Sequence, residues 1–352
     1  MNTTMAITLT SLLHLQALGF DDIIDVRAPA EFADDHIPGA ISLPVLDDAQ
    51  RADVGTIYKQ QSPFLARKLG AALVARNAAA HLEGPLRDRP GGWRPLVYCW
   101  RGGQRSGSFA SILAQIGWRV ETIAGGYKSW RKLVSDALYD APAPARVIVL
   151  DGNTGTAKTE VLNLLPAHGL QVIDLEGLAN HRGSLFGAVG PQPSQKAFEG
   201  ALAMALARLD PARPVVVEAE SIKIGNLYLP PKFWAAMCAA PRIAIEAPLP
   251  ARAAYLTTAY ADLIADPVRL DQIIGLLRPM HPAMRIAEWQ ALAGTHQFAA
   301  LAEQLMAHHY DPRYAKHRSK VTVPVTSVEA ASLAPADLPA LAARIAALAQ
   351  AR

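Results

Sequence analysis

Residues 146–159 read Arg-Val-Ile-Val-Leu-Asp-Gly-Asn-Thr-Gly-Thr-Ala-Lys-Thr, and this stretch decides the class of fold. An apolar, β-branched run, Val147–Leu150, enters a glycine-bearing turn and then the helix-like Glu160–Leu165. Strand, glycine-rich turn and helix in that order make a phosphate-binding loop. The backbone N–H groups of Thr154–Lys158 would wrap a phosphate chain, Lys158 would reach its terminal phosphates, and Thr159 would offer its hydroxyl to Mg2+. Gly152, Asn153, Thr154, Gly155 and Thr156 therefore join Lys158 and Thr159 as the expected phosphate or diphosphate contacts. Ala157 stands where the pattern has glycine. Its methyl group is tolerable there if the residue has helical dihedrals, and it counts against nucleotide hydrolysis.

Working outward, strand-like runs recur at Ile23–Val26, Leu96–Cys99, Val120–Ile123, Gln171–Leu175, Val215–Glu218 and Arg242–Glu246, with helix-like segments between them. Such alternation predicts α/β architecture with parallel sheets. At 352 residues the chain is long enough for two domains. The proline-alternating Ala141-Pro142-Ala143-Pro144-Ala145 reads as an extended linker between residues 1–140 and residues 141–352. From Leu256 onward the sequence is alanine-rich and helical in period, broken by Pro267, Pro279 and Pro282.

Composition narrows the function classes. Hydrophobic residues make up 51%, but much of that is alanine, and no apolar run approaches the roughly 20 residues that span a bilayer. No secretory leader is apparent. Two distant cysteines, Cys99 and Cys238, supply neither a disulfide framework nor a four-ligand zinc site, so a cytoplasmic protein without a membrane partner is expected. A net charge of +3 does not by itself indicate a nucleic-acid partner.

The strand Leu96–Cys99 delivers Cys99 into Trp100-Arg101-Gly102-Gly103-Gln104-Arg105-Ser106, ahead of the helix-like Phe109–Ile116. A cysteine in such a turn has loop N–H groups and a helix dipole at its sulfur, and here Arg101 and Arg105 are close in sequence. It is expected to be thiolate-rich near neutral pH, making Cys99, Arg101 and Arg105 the candidate catalytic group. The same ring of donors would hold a tetrahedral anion. Cys238, in the apolar context of Trp234-Ala235-Ala236-Met237, is expected to be inert core.

Asp25-Val26-Arg27-x-Pro29-x-Glu31-Phe32, His36-Ile37-Pro38-Gly39-Ala40 and Gly125-Gly126-Tyr127-x-x-Trp130 surround this loop, and the whole resembles a rhodanese domain. The resemblance implies sulfur or selenium carried on Cys99 as a persulfide or perselenide. Asp25, Arg27 and His36 read as residues that fix the fold. The Cys-x5-Arg spacing from Cys99 to Arg105 is shared with rhodanese-like dual-specificity phosphatases, so a phosphatase stays open for this half. No general acid for it can be identified in the sequence.

In the second half, Val215–Glu218 ends in Glu218-Ala219-Glu220-Ser221, where an acidic residue can hold Mg2+. Glu218, with Thr159, is the expected metal pair, and Glu220 a further contact. His181-Arg182-Gly183-Ser184-x-Phe186-Gly187 lies near the carboxyl end of another strand, making His181, Arg182 and Ser184 candidate substrate contacts. Lys59, Arg67 and Lys68, and the run Arg313–Lys320, are candidate phosphate contacts for RNA, with Tyr310 and Tyr314 near enough to stack on a base.

Cys99–Ser106, Gly55-x-Ile57-Tyr58-Lys59-Gln60, the His181–Gly187 motif and Glu218-x-Glu220-Ser221-x-Lys223-Ile224-Gly225 together resemble the tRNA 2-selenouridine synthase family over nearly the whole chain. That resemblance implies replacement of sulfur by selenium in 2-thiouridine at the tRNA wobble position. It implies geranyl diphosphate as the alkylating co-substrate, an S-geranylated intermediate, and selenophosphate, or the enzyme that produces it, as the selenium source. Alkylation makes chemical sense, because it turns a poor thiocarbonyl leaving group into a better one. The alternative is a rhodanese-type sulfurtransferase, or the Cys-x5-Arg phosphatase, fused to an ATPase or kinase.

Overall fold

The computed structural model describes residues 5–319 and 322–351. The chain divides into two compact units, one of residues 1–141 with 193–208, the other of residues 142–192 with 209–352.

The first unit is built on a parallel sheet of β1 (Ala6–Ile7), β2 (Asp22–Asp25), β3 (Ala40–Ser42), β4 (Pro95–Tyr98) and β5 (Glu121–Ile123), in the order β1-β5-β4-β2-β3. All four residues of β4 are buried, as befits an inner strand of a parallel sheet covered on both faces. A core of Val97, Phe109, Leu113, Trp93 and Trp118 fills one face. Between β3 and β4 runs a helical hairpin, Asp48–Gln60 and Pro63–Glu83. Asp47 and Gln50 form a capping box at its first helix, and Ser62 caps the second, whose first residue is Pro63.

Gln195–Ala207 is a helix of this unit although it follows the phosphate-loop sequence. Its Glu199 takes the guanidinium of Arg131 and the hydroxyl of Tyr139, at 2.7 Å for the latter.

The second unit has a parallel sheet of β6 (Val147–Gly152), β7 (Gln171–Ile173), β8 (Val215–Glu218), β11 (Arg242–Glu246) and β12 (Val325–Glu329), in the order β12-β11-β6-β8-β7. A small antiparallel hairpin, β9 (Lys223–Ile224) with β10 (Leu227–Tyr228), stands apart from it. The chain builds β6, β7 and β8 on one side before crossing to β11 on the other. The carboxyl end of β6 is therefore the crevice where open α/β sheets bind ligands. Helices Leu249–Ala259, Pro267–Gly275, Ala283–Gly294 and Phe298–Leu305 follow, three of them packing around the buried Trp289. Pro267 starts a helix and Pro282 caps one, so these prolines punctuate the helical region as the sequence predicts. Among the described residues no helix is long and apolar enough to cross a membrane.

One expectation fails here. Cys238 is exposed, not core. Its helix, Pro231–Ala239, buries Phe233 and Met237, four residues apart on one stripe, and Cys238 is rotated off that stripe by one residue.

Candidate functional site

The loop between β4 and the helix Gln104–Ile116 curls around Cys99. Gly103 N–H donates to Cys99 Sγ at 3.4 Å, and Ser106 Oγ donates at 3.2 Å. Burial raises the thiol pKa, but Ser106, the Gly103 N–H and the charge of Arg105 outweigh it and hold the thiol below its ordinary value. The lowered pKa expected from sequence is present, with Ser106 as a contributor that reasoning from the arginines overlooks. Arg101 is exposed, and Arg105 pairs with Glu31 at 2.8 Å.

The loop is braced from below. Gly126, at φ 58°, lies against it so closely that a Cβ there would collide with the Cys99 carbonyl. Tyr127 N–H donates to that carbonyl at 2.8 Å. Arg27, buried, donates to both carboxylate oxygens of Asp25 and lies 4.1 Å from the centre of the Tyr127 ring, whose hydroxyl donates to Asp35 at 2.6 Å. His36 stacks on Phe32 at 3.8 Å. These residues hold the loop's supports and none touches the sulfur. Beside the loop a groove of about 940 Å3 runs along the helical hairpin, bordered by Arg51, Tyr58, Lys59, Arg67 and Arg105. Lys68 is exposed but does not border it.

In the second unit the residues after β6 form a cavity of about 410 Å3 lined by Thr154–Glu160. Lys158 Nζ donates to the Gly152 carbonyl at 3.0 Å. Burial works against its charge, but Tyr314, Glu176, Glu220 and Asp151 hold its pKa above the ordinary value. Asn153 turns away to donate to Asp311 at 3.0 Å. Arg252 grips the same carboxylate with two hydrogen bonds, of 2.9 and 2.7 Å, and reaches the Thr154 carbonyl at 3.2 Å, tying the loop to the helix Leu249–Ala259. Ala157 does not have the right-handed helical dihedrals that would make its methyl harmless. It is left-handed, at φ 57° and ψ 32°, a conformation costing roughly 1–2 kcal/mol in a residue with a Cβ. Its methyl is offset by burial in the core beside Val161 and Leu162.

Thr159 Oγ1 donates to Glu176 Oε2 at 2.7 Å. Glu176 was not singled out in the sequence, although it follows β7 at the sheet's carboxyl edge, where a ligand site is expected. The expected metal ligand Glu218 is fully buried, accepts from Glu176 N–H at 2.8 Å and does not line the cavity. Burial and the charges of Asp174 and Glu176 push its carboxyl well above the usual range. Glu220 does line the cavity, and burial beside Glu176 pushes its carboxyl up to about 8. The two carboxylates crowd Gly183, where a Cβ would lie 2.6 Å from Glu220 and 2.9 Å from Glu176. Magnesium binds through one or two carboxylates plus phosphate oxygens, and the Thr159 hydroxyl with Glu176 suits that donor set.

Of the other candidates, Arg182 and Ser184 line this cavity while His181 does not, accepting instead from Gly183 N–H at 3.1 Å. Arg182 pairs with Asp262 at 2.9 Å. From the basic run, Arg313 and Tyr314 line the cavity, and Arg318 lies 3.7 Å from Asp151. Lys320 lies outside the described residues. Next to the cavity, and sharing lining residues with it, is a small apolar pocket of about 80 Å3 walled by Phe186, Leu263, Leu270, Phe298, Leu301 and Leu305. Most of its walls come from the helices after Leu256.

A thiol loop on one parallel sheet and a phosphate loop on another define a two-domain enzyme of the rhodanese and P-loop classes. The rhodanese-like domain family matches residues 8–133, and the tRNA 2-selenouridine synthase AAA domain family matches residues 145–273. A tRNA 2-selenouridine synthase of Pseudomonas syringae is 35% identical over 340 residues, covering 86% of this chain and 90% of that protein. One of Chromohalobacter salexigens is 41% identical over 267 residues, 72% of this chain and 70% of that protein. One of Nitrosomonas europaea is 38% identical over 238 residues, where the match spans 61% of that protein. The chain belongs to the tRNA 2-selenouridine synthase family.

Proposed function

We propose that this chain converts 2-thiouridine at the tRNA wobble position to 2-selenouridine in two steps, geranylation of the sulfur followed by its replacement with selenium. The observation that carries the first step is the apolar pocket that shares Thr154, Ser184, Leu256, Tyr260 and Tyr310 with the phosphate-loop cavity. A nucleotide would need polar partners for its base and ribose beyond the phosphates. A hydrocarbon chain on a diphosphate needs what this pocket has, leucine and phenylalanine walls.

In this reading Lys158 and the N–H groups of Thr154–Lys158 neutralise the diphosphate, and Thr159 with Glu176 would hold Mg2+, which supplies further positive charge to the leaving group. Arg182 and Arg313 add cationic charge at the mouth. No nucleotide is hydrolysed, so a strained Ala157 costs the chemistry nothing. Cys99, as thiolate, takes up selenophosphate or carries its selenium, in a loop whose N–H groups also suit a tetrahedral anion. The tRNA approaches the thiol loop along the cationic groove of Arg51, Lys59 and Arg67. A phosphatase in this loop would need Arg105 on the anion, whereas here its Nη1 donates to Glu31.

The test is mass spectrometry of nucleosides from 2-thiouridine tRNA incubated with geranyl diphosphate and selenophosphate. The wild type is expected to yield geranylated and selenated uridine, and Cys99→Ser geranylated uridine alone. Selenated product from Cys99→Ser removes the thiol from the mechanism, and ATP turnover without RNA favours the sulfurtransferase-ATPase alternative.

A further inference from the structure

Five residues border both the phosphate-loop cavity and the apolar pocket: Thr154, Ser184, Leu256, Tyr260 and Tyr310. Three of them bring hydroxyl groups that phosphate binding by the loop does not use. Ser184 Oγ lies 3.1 Å from the Tyr260 hydroxyl. The Tyr310 hydroxyl is buried and interacts with the same Ser184 side chain. Tyr310 also closes a π-helical turn, Met306–Tyr310, set between two α-helices. Such turns recur at functional sites, because the extra residue redirects side chains into a cavity.

Burial pushes the Tyr260 hydroxyl up to about 12 and the Tyr310 hydroxyl also above its ordinary value, so both keep their protons at neutral pH. Either protonated phenol can donate to Ser184, and in that arrangement the serine proton is available to a third partner.

A molecule with its diphosphate in the loop and its hydrocarbon in the pocket must place the oxygen that joins them at this junction. We infer that Ser184, oriented by Tyr260 and backed by Tyr310, donates a hydrogen bond to that ester oxygen as it leaves carbon. The inference rests on the geranyl diphosphate reading above. In the step, the bond from the allylic carbon to the ester oxygen breaks and its electron pair departs with diphosphate. A lone pair of the thiocarbonyl sulfur forms the new carbon–sulfur bond, and the N3 proton of the base is released to solvent. Charge grows on the ester oxygen as the bond breaks, so a donor placed there lowers the barrier more than it strengthens binding.

Ser184→Ala is the deciding variant, because it removes one small hydroxyl at a partly exposed position. In single-turnover geranylation of 2-thiouridine tRNA its rate is expected to fall by about 10²-fold. Calorimetric binding of geranyl diphosphate should stay within about threefold of wild type, since the loop holds the diphosphate. Ser184→Thr, which restores a hydroxyl, should recover most of the rate, and Tyr260→Phe should lose about tenfold by freeing the serine to rotate. Ser184→Ala at wild-type rate overturns the inference, as does a rate loss matched by an equal loss of binding. If the wild type binds geranyl diphosphate but forms no geranylated tRNA, the underlying reading fails as well, whatever the variants do.

Discussion

At the scale of single residues, the lowered pKa of Cys99 owes less to the arginines near it in sequence than to Ser106, in the first turn of the helix after the loop. Because the thiol is held below its ordinary pKa, the thiolate is present at lower pH than for a free cysteine. Alkylation of Cys99 should therefore rise and reach its plateau below the usual thiol range. Ser106→Ala removes a stabilising donor and should move the limb to higher pH, read from iodoacetamide labelling followed by peptide mass spectrometry. An unmoved limb would leave the Gly103 N–H and Arg105 as sufficient causes. The thiol and the lysine were legible in the sequence because their motifs are short and local. Glu176, Arg252 and Asp311 were not, since what gives them meaning is a partner brought in from elsewhere in the chain. Arg252 meets Asp311 from 59 positions away, and nothing in the local spelling of either residue announces the pair.

Among the elements, the interior strands and the edge strand β7 were read well, and the other edges were not. Val215–Glu218 and Arg242–Glu246 have the bounds the sequence predicts, being apolar runs buried by parallel neighbours. β1, β3 and β12 were missed. All three are edge strands, paired on one side and partly exposed, so they carry no continuous apolar signature. The hairpin Asp48–Glu83 has a surface that packing does not explain. Tyr58 is 57% and Phe64 70% exposed, among Lys59, Arg67 and Lys68. If RNA lies along this element, Lys59→Glu with Arg67→Glu should weaken tRNA binding by at least tenfold at moderate salt. The slope of log affinity against log salt should fall by about two units, one for each lost phosphate contact. Filter binding across a salt series measures both, and an unchanged slope would place the RNA elsewhere.

For the molecule as a whole, the division suggested by Ala141–Ala145 is only part of the connectivity. The chain passes from the second unit back to the first for Pro193–Arg208 before returning. Glu199, 4% exposed at its side chain, is the anchor of that excursion through Arg131 and Tyr139. Glu199→Gln keeps the shape and removes the charge. It should destabilise the first unit by about 2 kcal/mol, a figure reduced from that of a fully buried pair because Arg131 is partly exposed. Faster hydrogen exchange at Trp130 and Val134, with the amides of β6 unchanged, is the expected pattern. Equal acceleration in both units would mean that they unfold as one.

That borrowed helix also bears on how such a protein can be cut and recombined. A gene break at the proline-rich seam separates the thiol loop from the phosphate loop but strips the first unit of a helix encoded some fifty codons downstream. The two halves are therefore not exchangeable cassettes. Any lineage that swapped one of them at the seam would have had to rebuild the surface around Arg131, which favours inheritance of the pair as a single locus.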